Sequence, residues 1–337
     1  MKAVGYYEPL PTTSDRSLVD LALPAPAPGP RDLLVGVQAI SVNPVDVKIR
    51  AGVTPPNGVA KILGWDAAGI VEALGAEVTG FKPGDAVFYA GAIDRPGANS
   101  ELHVVDARIV GRKPVSLSFS EAAALPLTAI TAWELLFTRL GVAYGVKAPA
   151  GALLIVNGAG GVGSILIQLA RRLTGLTVIA TASRPETIAW VENMGAHHVI
   201  DHRRPLDEGL NAIGIPQVQY VAGLTGTDQH LPAIVKALAP QGKLALIDDP
   251  KALDIVPFKR KSASVHWELM FTRSLYGTPD MAEQHQLLNE VADLVDARVL
   301  RTTLKDELGP INATNLRRAH AVVESGKSIG KLVLNGF

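Results

Sequence analysis

The stretch LLIVNGAGGVGSILIQLARR, Leu153 to Arg172, decides the fold. Its opening run, Leu153 to Asn157, has the length and branched apolar composition of a buried strand, and it stops at glycines. Beyond them Val162, Ile165, Leu166 and Leu169 recur at the i, i+3, i+4, i+7 spacing of one helix face. Gly158, Gly160 and Gly163 therefore carry the GxGxxG spacing directly between a strand and a helix. In that context backbone N–H groups and the positive helix end attract a pyrophosphate. Gly158 is expected to permit the tight turn, Gly160 the close approach of phosphates, and Gly163 the close packing of helix on strand. Gly158, Ala159, Gly160, Gly161, Val162 and Gly163 are thus the expected dinucleotide-binding backbone. A glycine-rich turn without a ligand is the plainer reading of the same residues. Ala148 to Ala170 is uncharged for 23 residues, long enough for a membrane span, but the clustered glycines around Asn157 favour strand, turn and buried helix.

Working outward, strands are predicted at Thr177 to Ala182, His198 to Ile200, Val218 to Ala222 and Lys243 to Ile247, with helical stretches between them. Apolar strands alternating with helices imply a parallel sheet covered on both faces. This places a doubly wound nucleotide-binding domain at residues 125–261. The preceding residues 1–124 hold short β runs cut by Gly and Pro, such as Leu33 to Val42 and Asp85 to Gly91, plus a Pro-rich extended loop, Leu23 to Asp32. Residues 262–337 contain an amphipathic helix, with Leu287, Leu288, Val291, Leu294 and Val295 on one face, and end in the predicted strand GKLVL.

Composition bounds the function. A chain of 337 residues corresponds to about two domains. Hydrophobic residues at 47% against 19% charged supply large cores, which excludes global disorder. Lys+Arg and Asp+Glu both number 32, and no basic run suggests a phosphate-tracking stripe, so nucleic acid is not expected as a partner, and neither is a membrane. There is no cysteine, which excludes disulfides and every zinc site built on thiolate. The first ten residues, MKAVGYYEPL, lack an apolar secretory segment, and a cytoplasmic location is expected.

The strand after the glycine turn selects the dinucleotide. Its end reads Thr181, Ala182, Ser183, Arg184, with no acid at the tip to accept the ribose hydroxyls of NADH. A hydroxyl and a guanidinium suit a 2′-phosphate, so NADPH is the expected cofactor, with Ser183 and Arg184 as its readers. Glu186 stands close enough to turn back and weaken that preference. His202 is expected beside the nucleotide. With His198 it flanks a strand end, so the two read as turn residues and not as a ligand pair.

Four ordered motifs extend the reading over nearly the whole chain: SVNPVDVKIRAG (Ser41 to Gly52), GWDAAGIVEALGAEVTGFKPGDAV (Gly64 to Val87), LPLTAITAWELL (Leu125 to Leu136) and NGAGGVGSILIQLARR (Asn157 to Arg172). Together they resemble the medium-chain dehydrogenase/reductase superfamily, specifically its zinc-free quinone oxidoreductase branch. The tail resembles a subgroup named zinc-type alcohol dehydrogenase-like proteins. The resemblance implies an α/β fold: a GroES-like, mostly β catalytic domain from 1–124, a Rossmann doubly wound parallel-sheet domain inserted at 125–261, and a return segment, 262–337. It also implies a homodimer paired at sheet edges.

In the zinc-dependent members a Cys ligand matches Asn43 and the His of a GHE motif matches Trp65 of Gly64-Trp65-Asp66. Asn and Trp are poor substitutes for thiolate and imidazole, so no metal is expected. Without a Lewis acid, quinones and α,β-unsaturated carbonyls are the favoured acceptors, because conjugation spreads the charge that hydride brings. The resemblance places Asn43 beside nicotinamide and substrate as a donor, against a loop-stabilising role, and Lys48 as proton donor or enolate stabiliser, against a solvated one. Asp46 reads as structural. Thr128 matches a cofactor contact or serves as a helix cap, and Trp65, Tyr89 and Phe271 line an aromatic substrate slot or belong to the core. Two rival functions stand beside the metal-free reductase: an alcohol dehydrogenase with an atypical metal site, and a nucleotide-binding protein without turnover.

Overall fold

The computed structural model describes all residues, Met1 to Phe337. The chain divides into two units, one made of residues 1–130 and 271–337 and the other of 131–270. The first unit holds β1 (Lys2–Tyr6), β2 (Val19–Ala22), β3 (Asp32–Val42), β4 (Lys61–Ile62), β5 (Ala67–Leu74), β6 (Ala86–Tyr89), β7 (Leu102–Asp106) and β8 (Val110–Arg112). The second holds β9 (Ala152–Val156), β10 (Thr177–Thr181), β11 (His198–Ile200), β12 (Val218–Gly223), β13 (Leu238–Leu246) and β14 (Ser264–Trp267). The tail returns β15 (Leu304–Glu307) and β16 (Lys331–Asn335) to the first unit. The helices used below are α1 (Pro44–Gly52), α2 (Phe119–Ala123), α3 (Pro126–Trp133), α4 (Gly161–Leu173), α5 (Pro185–Met194), α6 (Leu206–Ala212) and α7 (Thr227–Ala237).

In the second unit the strand order is β11-β10-β9-β12-β13-β14, and every neighbouring pair is parallel. This is the doubly wound order of a dinucleotide-binding sheet, with its reversal between β9 and β12. Both faces are covered, which explains why all five residues of β9 are buried and why its sequence is continuously apolar. Leu154 and Val156 share a core with Leu206 and Leu210 of α6 and Ile234 of α7. Ile165, Leu166 and Leu169 of α4 are buried, as their spacing predicts. The sixth strand, β14, corrects the expected domain end at 261. Residues 264–267 pair with β13 from Lys243↔Ser264 to Leu246↔Trp267, so this unit runs past that point. The signal was weak because Ser-Val-His-Trp is a short edge strand with polar residues.

The first unit contains a three-stranded sheet, β2-β1-β4, and a seven-stranded one, β15-β16-β3-β5-β6-β8, with β7 also on β3. The long β3 organises it, and β16 pairs antiparallel with its end, Leu332↔Val42 and Val333↔Ser41. That register delivers Lys331 to the start of α1. No helix is long and apolar enough to cross a membrane.

Candidate active site

In the second unit, the turn leaves β9 through Asn157 at φ 63, a left-handed conformation that Asn tolerates. Its N–H donates to Thr181 Oγ1 (2.8 Å), its side-chain amide donates to the Thr225 carbonyl (2.9 Å), and the Gly158 N–H donates to the Thr181 carbonyl (3.1 Å). The left-handed residue of the turn is thus Asn157. Gly158, expected to permit the tight turn, is required by packing: a Cβ there would sit 2.9 Å from Ala180 Cβ on β10. A Cβ at Gly163 would lie 2.4 Å from the Gly158 carbonyl oxygen, so helix and turn touch backbone to backbone. A Cβ at Gly160 would meet nothing within 4 Å. Gly160 is the residue before α4, and Gly160, Gly161 and Val162 are partly exposed, whereas Ala159 is buried. The helix start is therefore an open cradle of N–H groups that a methyl would fill, and it fits a pyrophosphate.

At the tips of β10 and β11, Ser183 and Arg184 are both partly exposed. Arg184 precedes α5 and its guanidinium lies 3.3 Å from Glu186 Oε1, so the acid does turn back onto it. Asp201 pairs with Arg203 at 2.7 Å, which holds its carboxyl down at about 2. His202 Nδ1 lies 3.2 Å from Thr181 Oγ1. That hydroxyl also accepts the Asn157 N–H, so it joins the turn to the His202 imidazole. Burial lowers the His202 pKa and favours the neutral form. His198 sits at the opposite end of β11, and the two imidazoles form no metal site.

The first unit contains a buried polar cluster of Asn43, Asp46, Asp66 and Lys331, none more than 3% exposed. Asp46 accepts the N–H groups of Asn43 (2.8 Å) and Gly64 (2.9 Å), fixing the start of α1 against the Gly64-Trp65-Asp66 segment. Asp66 accepts the Asn43 amide (2.7 Å), the Leu127 N–H at the start of α3 (2.7 Å) and Lys331 Nζ (3.0 Å). Lys331 also donates to the Val42 carbonyl (3.0 Å) and to Asn43 Oδ1. Burial pushes both carboxyls up, Asp46 to about 7, against the pull of the Lys331 ammonium and the backbone N–H groups.

This geometry revises several expectations. Asn43 spends one amide hydrogen on Asp66 and the other on the Trp65 carbonyl (3.4 Å), so it is a structural link and not a donor facing substrate. Asp46 has the structural place expected of it. Lys48 lies on the exposed side of α1. Thr128 is buried, one residue after the N–H that binds Asp66, and its hydroxyl donates to the Leu125 carbonyl (3.0 Å) instead of accepting an N–H as a helix cap does. Trp65 and Phe271 do meet, edge to face at 6.3 Å, but both are at most 2% exposed, and the Trp65 indole donates to the Ala92 carbonyl (3.1 Å). Tyr89 is not part of a slot. It is fully buried, stacks on His103 at 5.5 Å, and its hydroxyl meets His103 Nδ1 at 3.1 Å. The other nitrogen of His103 donates to the Pro96 carbonyl (2.9 Å), and burial pushes its pKa down to about 4. Sequence reading missed Lys331. The available signal was a lone cation opening the otherwise apolar run LVL.

The comparisons with known proteins bear on this site. Residues 29–126 match the family described as alcohol dehydrogenase GroES-like domain, and residues 194–334 match the family described as zinc-binding dehydrogenase. A zinc-type alcohol dehydrogenase-like protein from Staphylococcus epidermidis is 36% identical, covering 99% of both chains. The chain belongs to the medium-chain dehydrogenase/reductase superfamily. Within this family of oxidoreductases it is also similar to a quinone oxidoreductase from Pseudomonas aeruginosa, 30% identical over 91% of this chain and 92% of that one. A Rhizobium etli CFN 42 crystal structure, provisionally named a zinc-dependent alcohol dehydrogenase, has 58% identity and a TM-score of 0.96, covering 100% of this chain and 98% of its own.

Zinc does not fit this member. There is no thiolate, no group of three His, Cys, Asp or Glu side chains is arranged to hold a metal, and the Asp66 carboxylate is bonded to an ammonium.

Proposed function

We propose that the protein is an NADPH-dependent oxidoreductase that reduces a quinone or an α,β-unsaturated carbonyl without a metal. The reading of the acceptor rests on one observation: positions 43, 65 and 66 hold Asn, Trp and Asp, and the acid among them is neutralised by Lys331. A site with no Lewis acid demands an acceptor whose own conjugation takes up the charge of the incoming hydride. The names of relatives agree in kind, including a 2-methylene-furan-3-one reductase from tomato, 36% identical over 53% of this chain.

Bound NADPH supplies the hydride. The open N–H groups from Gly160 to Val162 and the start of α4 hold its pyrophosphate. At the tips of β10 and β11, Ser183, Arg184 and the His202 imidazole offer polar groups to a 2′-phosphate, and both acids beside them are already paired with arginines. Lys48, on the exposed side of α1, is the proton donor to the reduced acceptor. A homodimer joined along β14 is part of the proposal, since this edge strand ends in Trp267, 55% exposed, near Leu269, 51% exposed.

The test is NADPH oxidation against a panel of quinones, enals and saturated ketones, with and without chelator. Turnover confined to conjugated acceptors and indifferent to chelator is expected. Reduction of saturated ketones at equal rates, or loss of turnover with chelator, refutes the reading. Arg184→Ala should weaken NADPH about tenfold and NADH little; equal losses refute the 2′-phosphate assignment.

A further inference from the structure

The buried cluster of the first unit has a feature that the proposed chemistry does not use. A lysine ammonium has three N–H donors and no acceptor, and all three of Lys331 are matched: to the Val42 carbonyl, Asn43 Oδ1 and Asp66 Oδ2. The side chain is 3% exposed and that of Asp66 is fully buried. Each oxygen belongs to a segment that the candidate site depends on. Val42 and Asn43 lead into α1, which carries Lys48, and Asp66 holds the first turn of α3 through the Leu127 N–H, next to Thr128. Each oxygen of Asp46 accepts one backbone N–H, from Asn43 and from Gly64, and none is bonded to the ammonium.

We propose that Lys331 is a positioning residue: its ammonium is a built-in cation that ties α1 and α3 to the end of β3 and closes this position to divalent metal ions. The proposal rests on the metal-free reading above and goes further, because it assigns to a side chain the charge and the cross-linking that a bound ion would supply. A metal entering here would have to expel the ammonium. It would then find one carboxylate, one amide oxygen and one carbonyl, a set of hard oxygens that holds zinc poorly. The amide of Asn43 is oriented by the same bonds. A donor of three hydrogens fixes its oxygen end, and Asp66 and the Trp65 carbonyl fix its nitrogen end.

The experiment compares the full-length wild type with Lys331→Met, Lys331→Ala and the double variant Lys331→Met/Asp66→Asn. Zinc binding is read by calorimetry and by metal content after desalting. Melting is read without ligand, and kcat with the dissociation constant of NADPH on the folded fractions. The wild type should take up no zinc, and its melting point should be the same with zinc and with chelator. Lys331→Met should melt about 10 °C lower, the scale expected for a buried carboxylate stripped of its partner, and the double variant should regain most of this. In Lys331→Met kcat should fall about a hundredfold while NADPH binding changes little, as expected when catalytic segments are misplaced and the nucleotide turn is intact. In Lys331→Ala, propylammonium, which replaces the deleted atoms, should restore melting and kcat, and 1-propanol should not.

One zinc per wild-type chain overturns the proposal, as does Lys331→Met melting like wild type, unchanged kcat in its folded fraction, or equal rescue by propanol. Where both single variants fail to fold, the double variant decides: folding supports the ion pair, and failure overturns it in favour of packing alone. Zinc uptake and melting are read without substrate, so an inactive wild type would defeat the functional reading separately.

Discussion

The nucleotide turn of the second unit and the charged cluster of the first are built by opposite means. The turn takes its essential parts from six consecutive residues, Gly158 to Gly163, placed by one strand and one helix. The cluster takes Asn43, Asp46, Asp66 and Lys331 from three segments, with Lys331 and Asn43 separated by 288 residues. The turn works by what is missing, since three positions without a Cβ let backbone meet backbone or ligand. The cluster works by what is present, with every donor and acceptor matched out of water. Damage to the first is therefore expected to be steric and local, and damage to the second electrostatic and spread over several elements.

The sharpest break of that contrast is Asp66→Ala. It strands the Lys331 ammonium in the core and frees the Leu127 N–H, and it should destabilise the chain by about 3 to 5 kcal/mol in denaturant unfolding. A loss under about 1 kcal/mol would mean that water already screens the pair.

The turn is next. Gly163→Val drives a side chain into the Gly158 carbonyl and should cost about 1 to 3 kcal/mol together with nucleotide binding. Gly160→Val meets open space, so its melting point should hold while affinity for NADPH falls at least about tenfold. Calorimetry of both variants separates them, and equal loss of stability would erase the distinction between packing and cradle.

The cluster should contribute a pH dependence through its buried carboxyls. Burial raises the Asp46 carboxyl from 3.8 in the unfolded chain to about 7, and shifts Asp66 in the same direction. Between these values the folded Asp46 carboxyl binds more protons than the unfolded one, so its contribution to stability falls as pH rises from about 4 to about 7 and levels off above, while the buried His103, held down at about 4, contributes with the opposite sign. The slope is read as the difference in urea-unfolding stability between wild type and Asp46→Asn across that range, and this difference should fall as pH rises. A slope of the opposite sign would show that the backbone N–H bonds outweigh burial.

The smallest effect belongs to the turn's periphery. Glu186→Gln releases Arg184 from an exposed pair worth at most about 1 kcal/mol, so NADPH should bind up to about fivefold tighter and NADH no differently. Unchanged affinity would place Arg184 away from the 2′-phosphate.

Much of the nucleotide unit was legible from order alone. The apolar runs gave the first five strands because a parallel sheet buried on both faces needs continuous hydrophobicity, and the glycines were readable because their function is the absence of a side chain. Where reading slipped, longer-range contacts were the reason. Gly158 is required by Ala180 of the neighbouring strand, and β14 exists because β13 offers it an edge.

The first unit shows the limit of such reading. Sequence excluded a thiolate metal site outright, because no cysteine is present, and it marked Asn43 and Trp65 as departures from the zinc-dependent pattern. It left Trp65, Tyr89 and Phe271 open between slot and core, and it placed Asn43 as a donor to substrate. Tertiary structure decided that Tyr89 is interior, that the Asn43 amide is spent, and that Lys331 neutralises Asp66. The physical reason is the same in each case. A glycine's freedom and a strand's hydrophobicity are properties of the local chain. The partner of a buried charge is set by the register of strands that meet only after folding, here Leu332 opposite Val42.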